Sequence, residues 1–507
     1  MISKRRKGPI VLAVCVLTAV IVVTYAGPLA ASVFQVGSHR TRQSVLDEPK
    51  WTGSPNGRLA DSVYEGRRPT TGSPLLRHRK TSHKELLQSC SKNVYSPSGA
   101  NLLINAANPE GAMSRLSYAW FDNIDVDIFR FSPSVIPYPT GSQHPYIGFA
   151  IQSLMPVDED SAQHAVIIYC DMDWTLTDTF ELPTLTCVTQ PKVLNLPRWR
   201  PAKGSCDQTP VGHVNPRIFM SPLGEPLMLV ATNGKANCLH EFVVDLRTFV
   251  PDLAPKFKIE TVPIRFANLT ALPRESSLAV VEEHYQLLFD DKNAIFVQHD
   301  IGDRSLTSMS DYGMRNLAVD APTPECVLSL QKPVSDPDNQ KVSLEQATNA
   351  LRVTLCEYPC EPTLGNTVLM SIMHVKYEHL REVYYRRYLV VMNATAPFHI
   401  LARSSSLIYL GSEERATVYT VAMQWDHSHF RTRSQSSIDP HNPVAKRAQI
   451  AAAAAKVSPE TNSLVNDYYH GWLDDTVLIS IGLNDQESAF MHINASQLLD
   501  CLEICPR

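Results

Sequence analysis

The chain has little glycine for its length, 21 of 507 residues, and no surplus of charge, with 46 basic against 51 acidic side chains. Nucleic acid as a partner would call for a basic face, and the even balance gives none. No Gly-x-Ser-x-Gly elbow, Walker loop, His-Glu-x-x-His helix or Rossmann glycine fingerprint occurs. Their absence removes serine hydrolases, NTPases, zincins and nicotinamide enzymes as leading ideas. Neither Cys356/Cys360 nor Cys501/Cys505 is followed by a second cysteine or histidine pair at finger spacing, so zinc is a poor reading. Long amphipathic helices and a fixed-period repeat are also missing.

What is present begins with an address. Lys4, Arg5, Arg6 and Lys7 precede an uncharged run from Pro9 to Ala26 of about 18 residues, near the lower limit for spanning a bilayer core about 30 Å thick. The positive cluster is expected in the cytosol. Small residues in Thr24-Tyr25-Ala26 offer a competing reading as a cleaved signal peptide, but the apolar core exceeds the roughly 7–15 residues usual there. The expectation is a single-pass type II protein of the Golgi or another secretory-pathway membrane: cytosolic tail 1–8, signal anchor 9–26, disordered stem 27–86 rich in Arg, Ser, Pro, Gly and Thr, and a luminal domain 87–507. Three acceptor sequons fit that address, at Asn268, Asn393 and Asn494. Cys15 falls in the anchor, and the ten remaining cysteines permit up to five disulfides whose connectivity spacing does not fix.

Within the luminal part, strand-length apolar runs are separated by turn clusters: Tyr146–Ile151, Ala165–Tyr169, Leu227–Ala231, Glu241–Asp245, Ala294–Gln298, Thr367–Ser371, Tyr388–Met392, Thr417–Ala422 and Val477–Ile481. With 36 prolines and no long helices between the runs, this predicts an all-β, antiparallel fold. So long a chain is too large for one sandwich, and a propeller of four-stranded blades accommodates it. Polar stretches at about 327–350 and 433–466 interrupt the rhythm, the second carrying the alanine run Ala451–Ala455 as a short surface helix.

Several stretches, in order, carry a resemblance: Phe131–Pro139 with Pro145-Tyr146; Asn215-Pro-Arg-Ile-Phe219 with Gly224-Glu-Pro-Leu227; Glu282–Phe289 with Val297-Gln-His-Asp300; His374 with Tyr385-Arg-Arg-Tyr388; and His470-Gly-Trp-Leu-Asp-Asp475 running into Ile481–Asp485. Over roughly residues 118–505 the chain resembles fungal secretory-pathway proteins similar to five-bladed, glycan-acting β-propellers, whose chemically understood relatives are β-mannoside phosphorylases and β-1,2-mannosyltransferases. The resemblance implies a five-bladed propeller with a central funnel site and a closing C-terminal helix over Ser496–Leu502. The sequence departs from the pattern where Val214-Asn215 stands for Glu-Asp, Ala150-Ile151 for Ala-Arg, and Glu282-Glu-His-Tyr285 for Glu-Lys-Asn-Trp.

Sugar transfer needs an acid, a base or stabiliser, and cations where phosphate is present. The catalytic candidates are Glu282, Asp300, Asp474 and Asp475, with Asp303 beside them; the substrate-binding candidates are Asn215, Arg217, His374, His470 and Trp472, with Arg304 as a further cation. Against these stand plainer roles. Asp474-Asp475 would cap a tight turn, Asp303-Arg304 would be a solvated pair, Arg217 would stitch blades through a carboxylate, and Trp472 would be core. A divalent metal is not expected. Asp171-Met-Asp173, repeated at Asp125-Val-Asp127, has the Asp-x-Asp form but lacks the alternating strand-helix context, and His427-Ser-His429 lacks a third ligand. The expected ligand is a glycan or sugar phosphate, with no cofactor beyond a sugar-nucleotide donor. Two functions follow: a β-mannosyltransferase-like enzyme, or a degenerate glycan-binding propeller in which Asn215, Ile151 and His284 replace charged or amide groups. A phosphorylase or hydrolase on the same fold is the further alternative.

Overall fold

The computed structural model describes residues 101–506 except 105, 108–112, 115–116, 121–129, 140–141, 154–164, 177–182, 198–212, 234–238, 258–261, 274–283, 310–315, 333–339, 380–381, 410–416, 427–467, 485–486 and 501. The anchor, the stem, Glu282, Asp125, Asp127, His427, His429, the alanine run and Cys90, Cys206, Cys238 and Cys501 lie outside the described residues. No helix among the described residues is long and apolar enough to cross a membrane.

The fold is all-β, a succession of antiparallel meanders with a few one-turn helices. The first meander runs Arg130–Pro137, Tyr146–Ser153, Ala165–Leu176 and Pro183–Cys187. The second runs His213–Met220, Pro226–Asn233, Leu239–Asp245 and Thr270–Ala271. The third is Gln286–Phe289, Ile295–Asp300 and Ser305–Ser308. In the fourth, Gln340–Gln346 and Leu351–Thr354 share the partner Thr367–His379, followed by Glu382–Asn393 and Ile400–Arg403. The fifth is Val418–Trp425, Thr476–Leu483 and Glu487–Asn494, and its next strand is Ser117–Trp120, which arrives from the other end of the chain.

The apolar runs read from sequence are continuous rather than alternating because the inner strands are covered on both faces. In Leu227–Val230, Leu227 and Leu229 enter the core shared with Leu287, Phe289 and Val375, whereas Met228 and Val230 enter the core shared with Ile136, Ile147 and Phe149. Val390 and Met392 join the former core, and their neighbours Leu389 and Val391 pack with Met423, Trp425 and Ile479. Leu478 and Phe490 leave that last core to pack with Val135, Tyr146 and Ile168 of the first meander. Each buried aliphatic side chain contributes about 1.5–3 kcal/mol.

Every predicted strand overlaps an observed one, with Ala294–Gln298 and Thr417–Ala422 each starting one residue before the observed strand. The short C-terminal helix is also present, at Ala495–Leu498 rather than across Ser496–Leu502, and Glu503–Ile504 then pairs with Ile400–Arg403. Among the strands not anticipated, three have compositions that argue against them. Arg130–Pro137 and His213–Met220 contain internal prolines, which a β-bulge accommodates in each, between Phe131 and Ser134 and between Val214 and Arg217. Gln340–Gln346, inside the polar stretch 327–350, is a strand because its long partner Thr367–His379 supplies the ladder.

Of the sequons, Asn268 is exposed while Asn393 and Asn494 are half-buried; the Asn494 amide oxygen accepts from Thr476 at 3.2 Å. Disulfides join Cys170 to Cys187, Cys326 to Cys505 and Cys356 to Cys360. Cys356/Cys360 is therefore local, whereas Cys505 reaches across the chain. Gly471 is required by close approach: a Cβ there would lie 2.7 Å from the buried Trp425 ring.

Two stability tests follow from these contacts. Replacing Cys326 and Cys505 by Ser releases a loop spanning 179 residues and should cost about 5 kcal/mol, against about 2 kcal/mol for Cys356 and Cys360, four residues apart, in non-reducing guanidinium denaturation. Gly471→Ala should cost about 1–3 kcal/mol by overpacking, read as a lower urea midpoint at unchanged slope.

Candidate functional site

The first strands of the second and fifth meanders bring polar side chains together where their ladders are broken. Asn215 sits in the left-handed region at φ 50° within the bulge of His213–Met220, and His284, just before Gln286–Phe289, does so at φ 67°. A third bulge interrupts Val418–Trp425 between Thr420 and Ala422. Residues held in that region cost of order 1–3 kcal/mol each and cluster at functional positions. The bulge turns Arg217 inward, where it is buried, and no carboxylate among the described residues pairs with it. Its Nη1 donates to the Tyr285 carbonyl at 3.3 Å, and its Nη2 lies 2.5 Å from His284 Nδ1 and 3.5 Å from the Tyr419 hydroxyl. The expected carboxylate stitch is thus replaced by an imidazole, a phenol and a carbonyl.

Because a guanidinium only donates, His284 Nδ1 is an acceptor, and the Tyr419 hydroxyl 3.1 Å away completes the triangle. Burial, then the positive charges of Arg217 and Lys376, hold the His284 pKa well below its ordinary value. His374, fully buried, accepts the Thr420 N–H at Nε2, which leaves the proton on Nδ1, for which no acceptor lies among the described residues. Burial, then Arg387, Arg217 and His284, depress its pKa likewise. Burial raises the Tyr419 phenol, which stays protonated. The rings of His374, Tyr385 and Tyr419 meet with centroids 4.5–5.2 Å apart. Lys376, half-buried beside them, reaches Glu378 at 2.7 Å and Glu345 at 3.6 Å. His284, Tyr385 and Tyr419 are half-buried, so the buried guanidinium has a partly open polar rim.

Arg217, Asn215 and His374 are therefore brought into one region, and the described carboxylate candidates Asp300, Asp474 and Asp475 are not. Asp300 accepts the Gly302 and Asp303 N–H groups as a turn cap. Asp475, buried, caps its own turn by accepting the Trp472 N–H at 2.8 Å, and Asp474 accepts the Tyr358 N–H at 3.0 Å. Trp472 is core: it stacks on His470 at 5.0 Å and donates to the Cys360 carbonyl. His470 lies 2.6 Å from the Thr354 hydroxyl, beside the cleft near Arg352. The Asp303-Arg304 pair is not solvated, because Arg304 is buried and donates to the carbonyls of Ala321, Pro397 and Phe398. Burial lowers its pKa to about 10, so it remains charged at neutral pH.

The Asp-x-Asp pattern is also accounted for. Asp171 accepts the Tyr138 hydroxyl at 2.6 Å with Lys256 at 3.8 Å, and Asp173 accepts the Trp174 N–H. A lysine occupies the place where a cation would bind. Among the described residues no group of three His, Cys, Asp or Glu is placed to hold a metal. The residues that sequence reasoning missed are Tyr419, read only as part of a strand, and Lys376 and Glu345; neither patterning nor motif spacing distinguishes them.

Two cavities bear on ligand binding. The recess against Arg217, Phe219, Tyr285 and Asn349 is closed to water, and the one against Arg352 and His470 has room for about one water molecule. Neither is a preformed pocket of the roughly 300–1,000 Å³ usual for drug-sized ligands, so a ligand at the Arg217 cluster would meet its half-buried rim.

No protein family matches the chain, and no curated protein matches it. Among solved structures it is similar to a glycosyl hydrolase from Bacteroides ovatus, at 10% sequence identity and a TM-score of 0.32, over 81% of this chain and 94% of that one.

The two histidines make a pH test. In the unfolded chain both protonate as pH falls through about 6.5, whereas the folded chain resists uptake. The stability tied to their neutral forms is complete above that value and is lost as pH falls toward their depressed folded pKa values. The melting temperature should drop between pH 7.5 and 5, with a shallower drop in His284→Gln and His374→Gln, and long-range 15N spectra should show a neutral Nδ1–H tautomer for His374 at pH 6. Unchanged slopes in both variants would remove the assignment.

Proposed function

We propose that the chain is a five-bladed β-propeller that binds a mannose-containing glycan or sugar phosphate at the Arg217 cluster without turning it over. The meanders follow one another in chain order, one per blade, and neighbouring meanders share cores; this supports the propeller reading. The observation that carries the binding reading is a buried guanidinium, ringed by a neutral imidazole and phenols, with no carboxylate among the described residues bonded to it. A planar fork of donors suits a phosphate or a vicinal diol, and aromatic faces suit a sugar ring. Acid–base chemistry needs a carboxylate or a histidine that titrates near neutral pH, and burial holds both imidazoles neutral.

The transferase reading keeps one supporting observation, since an Arg217 with no carboxylate partner among the described residues equally suits the pyrophosphate of a sugar-nucleotide donor. Placement in a Golgi or other secretory-pathway membrane, through the anchor 9–26 and stem 27–86, is proposed from the sequence; three disulfides fit an oxidising compartment.

Calorimetric titration of the full-length protein with mannose 1-phosphate, GDP-mannose and short mannosides tests this. Phosphate-bearing ligands should bind, and Arg217→Ala should weaken them by about tenfold or more, the loss of a charge-assisted hydrogen bond. Tyr419→Phe, which keeps the ring, should cost less. Binding indifferent to Arg217 would sink the proposal, and steady consumption of GDP-mannose with a mannoside acceptor would establish the transferase instead.

A further inference from the structure

The three disulfides among the described residues are not equally placed. Cys170–Cys187 joins residues 17 apart inside the first meander, where Cys187 is laddered to Met172 and Cys170 is 2% exposed. Cys326–Cys505 joins residues 179 apart, and both lie in a hydrophobic core. Cys356–Cys360 joins residues four apart, and both are half-buried in a stretch, 357–365, that is otherwise mostly exposed. Exposed bridges are the ones that exchange with outside thiols, and a bridge over so short a loop contributes least to holding a fold together.

The loop is also arranged for chemistry at sulfur. The Asn366 carboxamide nitrogen lies 3.7 Å from Cys356 Sγ and 3.6 Å from Cys360 Sγ. The Thr363 N–H, donating to the carboxamide oxygen at 2.7 Å, fixes which end of the amide faces the sulfurs. One donor therefore serves whichever sulfur leaves as a thiolate. A hydrogen bond to the charged form lowers a thiol's pKa, and a thiol of lower pKa leaves faster. What the bridge holds is equally defined. The Cys360 carbonyl accepts the Trp472 indole N–H at 2.9 Å, the Cys356 carbonyl accepts the Leu473 N–H at 3.1 Å, and the Tyr358 N–H donates to Asp474 at 3.0 Å. The Tyr358 ring meets the Trp472 ring edge-on at 5.2 Å. The bridged loop is thus fastened to the turn that leads into the last hairpin, Thr476–Leu483 with Glu487–Asn494.

We propose that Cys356–Cys360 is a thiol–disulfide exchange site, opened by a small thiol in the folded protein, and that opening it unfastens the loop from Trp472. The incoming thiolate attacks one sulfur, the Cys356–Cys360 bond breaks, and the other sulfur departs as a thiolate beside Asn366 and takes up a proton. A second small thiol then attacks the reagent's sulfur in the mixed disulfide and releases the remaining cysteine in the same way. The protein gains two electrons and two protons, and the two small thiols leave as one disulfide. The fold survives because the strands on either side, Leu351–Thr354 and Thr367–His379, stay laddered to each other. Nothing in this assignment depends on what binds at Arg217.

Alkylation mapping and NMR on the full-length protein test it. Free thiols are first blocked with iodoacetamide, dithiothreitol is then raised stepwise, and newly freed thiols are alkylated with isotope-labelled iodoacetamide and located by peptide mass. Cys356 and Cys360 should be labelled at about a tenth or less of the dithiothreitol needed for Cys170, Cys187, Cys326 and Cys505. In that partly reduced state the Trp472 indole 15N–H signal should shift, while that of Trp425, which donates to the Tyr469 carbonyl, should stay in place. Cys356→Ser with Cys360→Ser should carry the same Trp472 shift without any reductant. Asn366→Asp keeps the acceptor for Thr363 but removes the donor, and should slow opening about threefold or more. Labelling of the other two bridges at the same dithiothreitol concentration, or collapse of amide dispersion once the short bridge opens, would overturn the site. A Trp472 signal unmoved by reduction would overturn the unfastening, and an Asn366→Asp rate equal to wild type would overturn the role of the carboxamide.

Discussion

Burial of each sheet on both faces is the constraint from which the rest of the molecule follows. An ordinary antiparallel sheet hides one face and wets the other, and its strands alternate apolar with polar residues. Here consecutive residues of one strand belong to two different cores, as Leu227 and Met228 do, so neither face can be polar. Polar side chains are pushed to the strand ends and to the first strands of the meanders, whose inner edges, away from the ladder, have no backbone partner among the described residues.

Those inner edges are satisfied by side chains. Gln424 donates to the Ile218 carbonyl, Asn349 exchanges bonds with the backbone of Met423, Gln286 donates to the Thr348 carbonyl, and Tyr146 donates to Asp426. Arginines do the same over longer reaches: Arg387 to the carbonyls of Leu407 and Val418, Arg403 to those of Cys326 and Ser404, and Arg304 to three others. Such amide and guanidinium ties join one meander to another where a ladder cannot. They also explain why buried arginines without a carboxylate partner among the described residues recur, as at Arg304 and Arg352.

The fold class was legible in the sequence because doubly covered strands read as short, unbroken apolar runs, and strand-length runs without helical spacing leave few architectures. Three of the strands that went unread are ones where another force overrides composition: prolines carried on bulges at Pro133 and Pro216, and a polar segment at Gln340–Gln346 held by a long neighbour. The site was half legible. Arg217, Asn215 and His374 came from ordered motifs, but Asp300 and Asp475 of those motifs serve as turn caps, a role that spacing alone does not separate from catalysis. Tyr419 and Lys376 carry no local signature, since what places them beside Arg217 is the packing of strands distant in sequence.

The pairing of Ser117–Trp120 with Glu487–Asn494 sets a clock on biosynthesis. Roughly 370 residues separate the two partners, so a ribosome adding about 5–20 residues per second leaves the early strand without its mate for on the order of twenty to seventy seconds. Throughout that interval the nascent chain exposes an unpaired edge and, in the first meander, an apolar face whose cover has not yet been translated. A chain built this way depends on whatever shields it during synthesis, and a premature stop anywhere before the last hairpin leaves a product that has no means of hiding either surface.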